Sequence, residues 1–75
     1  MKAFILIRIS SGQISDVVKE LKKIGQVKES YMTFGPYDAV AKVEADNIKE
    51  LGKLISDQIQ PIPGILETLS CLAVD

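Results

Sequence analysis

Cys71 is the only cysteine in a chain with no histidine, and this pair of facts constrains the fold more than any other feature of the sequence. One thiol cannot close an intramolecular disulfide, and one cysteine without histidine cannot supply the ligands of a structural zinc site. The chain is 75 residues long, a size that buries only about 60% of the surface its unfolded form exposes. Small domains of this kind draw extra stability from disulfides, metals or a second chain, and here only the last is open. The sequence therefore predicts one domain, residues 1–75, that self-associates.

Apolar residues make up 47% of the chain, enough for a packed core and too many for a disordered tail. The first apolar run, Phe4 to Ile7, is interrupted at Arg8, far short of the roughly 20 residues of a membrane-spanning helix. It ends at Ser10-Ser11-Gly12 without the small-residue cleavage site of a signal peptide. No membrane partner is expected, and the unpaired thiol fits a reduced, cytoplasmic setting. A formal charge of −1 removes the electrostatic signature of a protein that grips nucleic acid through its phosphates.

Residues 3–9 read as a strand with apolar side chains on both faces, Phe4 and Leu6 on one and Ile5, Ile7 and Ile9 on the other, which suits a central position in a sheet. The period then changes. Ile14, Val17, Val18, Leu21 and Ile24 fall on one helical stripe that should stop at Gly25 in a left-handed cap. Alternation over 26–34 and 37–45 predicts two strands, paired as a hairpin about Gly35-Pro36. A second helix should start with Asp46 as N-cap and turn Ile48, Leu51, Leu54 and Ile55 inward, with Gly52 marking a close approach. Pro61 and Pro63 end it, and residues 65–74 form a last strand.

Strand, helix, strand, strand, helix, strand is the order of an α+β, ferredoxin-like βαββαβ fold. It places two helices on one face of a four-stranded antiparallel sheet, with the first and third strands in the middle. The other face stays open. The register expected for it puts Val40, Thr68, Leu72 and Val74 on that side, an apolar patch of the kind that marks an interface.

The chemistry available is sparse. With no histidine the commonest general acid–base is missing, and Glu44 and Asp46 flank a helix start where capping accounts for them. Cys71 lies mid-strand between apolar neighbours, as an inert thiol would. Ser10-Ser11-Gly12-Gln13 replaces the Cys-x-x-Cys of metal-carrying relatives of the fold, and the third strand, Ala39-Val40-Ala41-Lys42-Val43, lacks the aromatic side chains on which single-stranded RNA stacks. The only arginine, Arg8, stands inside the first strand rather than in a phosphate-cradling loop. Neither a catalytic residue, nor a metal, nor a cofactor is expected.

There remain the turn Phe34-Gly35-Pro36-Tyr37-Asp38 and the hydroxyls of Thr68 and Ser70. Free amides in an irregular Gly-Pro turn suit a carboxylate, and Asp38 suits an ammonium group: the two ends of an amino acid. The alternative reading makes Asp38 a cap of its own turn and Thr68 and Ser70 ordinary strand residues.

The stretch Gly35-Pro36-Tyr37-Asp38-Ala39-Val40-Ala41-Lys42-Val43 resembles the Gly-x-Tyr-Asp signature of the effector domain of the Lrp/AsnC family, the domain for regulation of amino-acid metabolism. Gly12 before the first helix, and Ile59-Gln60-Pro61-Ile62-Pro63-Gly64-Ile65 leading to Thr68 and Ser70, agree with that family's pattern. The resemblance implies a ligand-sensing and oligomerising module that dimerises through its sheets, in the manner of a dimeric α+β barrel. It also implies that dimers assemble into octamer-type rings with amino-acid effectors bound between them. On it the ligand-binding positions are Gly35, Tyr37, Asp38, Thr68 and Ser70. Typical members carry an N-terminal helix-turn-helix domain, whereas this sequence begins at the first strand of the effector domain, so a stand-alone version is expected, acting through full-length Lrp/AsnC relatives or other chains. Two other readings use the same fold: a small monooxygenase-like enzyme built as a dimeric α+β barrel, and a purely structural assembly domain.

Overall fold

The computed structural model describes residues 1–74. Its elements are β1 (Lys2–Ile9), α1 (Ile14–Leu21), β2 (Val27–Met32), β3 (Ala39–Glu44), α2 (Ile48–Leu54), one π-helical turn (Ile55–Ile59) and β4 (Ile65–Leu72). The sheet runs β2-β3-β1-β4 with every neighbouring pair antiparallel, so the expected ferredoxin-like arrangement with β1 and β3 central is the one formed.

Alternation in β1 builds the core directly. Ala3, Ile5, Ile7 and Ile9 point to the helical face and are buried, as are Ala39, Ala41 and Val43 of β3 beside them. Val17, Val18 and Leu21 of α1, Leu51 and Leu54 of α2, and Ile59 of the π-turn close over that face. Each fully buried Ile or Leu contributes about 1.5–3 kcal/mol relative to leaving it in water. The small side chains of β3 let the helices approach the sheet.

Both helix ends differ from expectation. α1 stops at Leu21, and the chain tightens through bonds from the Lys23 N–H to the Glu20 carbonyl and from the Ile24 N–H to the Leu21 carbonyl, both 3.1 Å. These three-residue closures satisfy the last carbonyls without a left-handed residue, so Gly25 is not the positive-φ cap. The N-cap of α2 is Asn47 rather than Asp46: its Oδ1 accepts from the Glu50 N–H at 2.9 Å. The helix thus starts one residue later than expected, and Ile48, its first residue, remains 60% exposed instead of turning inward. A Cβ placed on Gly52 meets nothing within 4 Å, so no close approach occurs there. The Gln60 N–H reaches the Ile55 carbonyl five residues back, at 2.8 Å, and this wider turn brings Ile59 to the side already occupied by Leu54.

Strands β2, β3 and β4 are shorter than the sequence suggested, while β1 begins one residue earlier. β2 ends at Met32 and β3 begins at Ala39, leaving a six-residue connection in place of a tight Gly-Pro hairpin.

The register of β4 is the larger correction. Ile7 faces Thr68, Ile5 faces Ser70 and Ala3 faces Leu72, which places Thr68, Ser70 and Leu72 on the helical side of the sheet, not the open one. Val74 lies beyond the strand and is exposed. Residues 65–72 carry apolar side chains in both parities, so alternation does not decide the facing of this edge strand, and a one-residue shift exchanges the faces entirely. The open face carries Val40, as expected, together with Phe4, Leu6 and Leu69. It is flanked by the ion pairs Arg8–Glu67 at 3.1 Å and Lys42–Glu29 at 3.4 Å.

Candidate functional site

The β2–β3 connection is held from both sides. The Thr33 N–H donates to the Asp38 carbonyl at 3.0 Å, the Thr33 hydroxyl donates to the Tyr37 carbonyl at 2.8 Å, and the Asp38 N–H donates to the Ile7 carbonyl at 2.9 Å. Oδ2 of Asp38 accepts from the Ile9 N–H at 2.7 Å, tying the connection to the end of β1. Gly35 adopts φ 154°, a conformation that side-chain-bearing residues rarely take. A glycine is required there for the chain to reverse as it does.

These constraints leave a hollow of about 420 Å³ where the connection meets the start of α1, walled by Ile14, Met32, Thr33, Phe34, Gly35 and Asp38. It falls in the size range of small-molecule sites. Asp38 is the one charged residue of the lining, and its bond to Ile9 occupies only one of its two carboxylate oxygens. Among the described residues, nothing accepts from the Phe34 and Gly35 N–H groups. The wall therefore joins one carboxylate-bearing residue to a largely apolar surface.

Of the five site residues expected from the sequence, Gly35 and Asp38 share this wall. Tyr37 is not part of the wall: its ring centroid lies 5.9 Å from the Arg8 guanidinium carbon, in a cation–π contact. Thr68 stands in a row with Ile7 and Ala39, two strands from the start of β3, or about 10 Å at the usual strand spacing. Its hydroxyl accepts from Nε2 of Gln60 at 3.3 Å. Ser70 lies two residues further along β4, opposite Ile5. Ile14, Met32 and Thr33 were not anticipated in the wall, and Phe34 only as the first residue of the candidate turn. Ile14 reads from its spacing as a core residue of α1. The other three belong to the stretch that alternation assigns to β2, and the early end of that strand is what frees them.

A second polar cluster sits on the open face. Glu29 accepts from the Tyr31 hydroxyl and from Lys42. The hydrogen bond from Tyr31, with Lys42 next in effect, holds the Glu29 carboxyl below its usual range. The same bond pushes the Tyr31 phenol up. Among the described residues no group of His, Cys, Asp and Glu could hold a metal ion, and no helix is long and apolar enough to cross a membrane.

Compared with known proteins, residues 2–75 match the model of the Lrp/AsnC ligand binding domain. The chain belongs to the Lrp/AsnC family. It is 40% identical over 65 residues to the helix-turn-helix-type transcriptional regulator FL11 of Pyrococcus horikoshii, a match covering 87% of this chain and 42% of that protein. The chain spans about half, or somewhat less, of the length of the curated Lrp/AsnC relatives it matches. Among solved structures, E. coli AsnC superposes with a TM-score of 0.94 at 27% identity, covering 99% of this chain and 50% of that one. A transcriptional regulator from Neisseria meningitidis, solved as a complex with L-Met, has the same fold at a TM-score of 0.89 and 14% identity, covering 99% of this chain and 49% of that one.

Proposed function

We propose that this Lrp/AsnC domain is an amino-acid-sensing, oligomerising regulatory module and not an enzyme. The observation that carries the reading is the wall of the hollow at the β2–β3 connection. It sets the Asp38 carboxylate, the complement of an ammonium group, in a concave surface that also includes Phe34 and Gly35, whose backbone N–H groups have no partner among the described residues. The L-Met complex of the Neisseria regulator supports an amino acid as the class of ligand.

The hollow is open to solvent, and Phe34 beside it is fully exposed. A second copy completes the site in this reading, and Thr68 and Ser70, remote from Asp38 within one chain, reach the ligand from that copy. The apolar strip of Phe4, Leu6, Val40 and Leu69 pairs two chains sheet to sheet, and the dimers join into a ring of the octamer type. With a formal charge of −1 these 75 residues lack the basic surface that duplex DNA requires. The DNA contact therefore belongs to another segment or another chain, full-length Lrp/AsnC relatives among them.

A panel of the twenty amino acids, followed by thermal unfolding and light scattering, tests the proposal. A ligand that binds only the folded form raises the melting temperature by mass action, and one that binds between copies also shifts the mass distribution. An unchanged melting temperature across the whole panel would leave the domain as a structural assembly unit.

A further inference from the structure

We infer that Arg8 is a positioning residue for the turn at Asp38, through which covering the open face of the sheet tightens that turn; the inference rests on the sheet-to-sheet pairing proposed above. Arg8 is bracketed in the chain by two bonds to Asp38. The Asp38 N–H donates to the Ile7 carbonyl at 2.9 Å, and the Ile9 N–H donates to Oδ2 of Asp38 at 2.7 Å. The register of β1 against β4 also shifts between Arg8 and Ile9, an irregularity of the kind that re-aims a side chain. On the open face the Nε of Arg8 pairs with Glu67 at 3.1 Å, and its guanidinium carbon stands 5.9 Å from the centre of the Tyr37 ring. One residue thus joins the edge strand β4 to the connection that carries Tyr37 and Asp38.

Water sets how firmly Arg8 holds. In the single chain the Arg8 and Glu67 side chains are 53% and 55% exposed, and an ion pair so exposed is worth little. Arg8 and Glu67 form the row of the open face next to Leu6 and Leu69, so a second copy seated on the apolar strip partly shields the pair from water. Ion pairs and cation–π contacts strengthen as water leaves, and Arg8 then fixes the ring of Tyr37, which is half-buried in the connection. The same contacts, wet in the free chain and shielded in the pair, supply the difference in free energy that coupling requires. Linkage makes the effect reciprocal: whatever orders the turn, an amino acid included, favours the covered face by the same factor.

Amide hydrogen exchange by NMR, read at the Ile9 and Asp38 N–H groups over a dilution series followed by light scattering, tests this without any ligand. Leu21 of α1, on the helical side of the sheet, serves as the control amide. In the wild type, protection at Ile9 and Asp38 is expected to rise at least about fivefold as chains pair, the lower end of ordinary coupling, and to rise more than at Leu21. Tyr37→Phe keeps a ring for the guanidinium and should behave as the wild type. Tyr37→Leu and Arg8→Met each remove one side of the cation–π contact, and at concentrations that give the wild-type mass their two amides should change no more than Leu21. A rise in these variants as large as in the wild type would overturn the inference, as would a wild type that pairs without tightening at Ile9 and Asp38. Should Arg8→Met fail to fold or to pair, the two Tyr37 variants decide. A wild type that stays monomeric throughout the series would overturn the sheet-to-sheet reading and this inference with it.

Discussion

The Ile9 N–H and Oδ2 of Asp38 meet at 2.7 Å across 29 residues of sequence, so the side chain proposed to receive a ligand also fastens the end of β1. The two roles separate by substitution. Asp38→Ala removes a hydrogen bond to a charged acceptor and should cost about 1.5–3 kcal/mol of stability, toward the lower figure because the bond is only partly buried. Asp38→Asn keeps an acceptor for Ile9 and should recover most of that loss, while still lacking the charge that pairs with an ammonium group. Urea unfolding beside ligand titration checks both. An asparagine variant as stable as the wild type but at least tenfold weaker in amino-acid binding is the expected result.

Leu69 and Leu6 face each other on the open side of the sheet, and Leu69 is 48% exposed in the single chain. Placing a carboxylate there leaves the buried core alone, yet would desolvate an unpaired charge in a sheet-to-sheet contact. Leu69→Glu should therefore release monomers with an unchanged circular dichroism spectrum. Light scattering at micromolar concentration measures this, and identical masses for variant and wild type would exclude the strip as the interface.

Two glycines should respond in opposite directions to the same methyl group. Gly52 sits within α2 with open space where a Cβ would go. Gly52→Ala should stabilise by about 0.5–1 kcal/mol through the helix preference of alanine. Gly64 adopts φ 102°, and a Cβ on it would lie 3.0 Å from the Gln13 Cβ, so Gly64→Ala should destabilise by a kcal/mol or more, at roughly the cost of a strained backbone. Paired thermal melts decide between them.

The Glu29–Tyr31 pair makes a pH prediction with a definite sign. The Glu29 carboxyl titrates below the usual 4.5 in the folded chain, so its contribution to stability is present above that pH and is lost as pH falls through the lowered value. The Tyr31 phenol titrates above the usual 10.0, so its contribution is complete below that pH and is lost as pH rises through the raised value. Both groups are exposed, and the effects are correspondingly small. Carbon-detected NMR titration should show Glu29 moving up toward its ordinary range in Tyr31→Phe. An unmoved Glu29 would assign its shift to Lys42 instead.

The sequence by itself determined the order of elements, the central place of β1, the core drawn from Ile5, Ile7, Val17, Val18, Leu21, Leu51 and Leu54, and the turn signature at Gly35 to Asp38. Each is a local property: a period of two or of 3.6, a backbone that needs glycine, a proline that stops a helix. Tertiary structure alone decided which side of the sheet β4 presents, because an edge strand with apolar residues in both parities takes its facing from the partner that its hydrogen bonds select. The same holds for the pairing of Asp38 with Ile9 and for the gathering of Ile14, Met32 and Phe34 into one wall. Those contacts join residues that are distant in the chain, and no spacing within a single element encodes them; they exist because β3 lies beside β1 and the connection before it has to close over the first turn of α1.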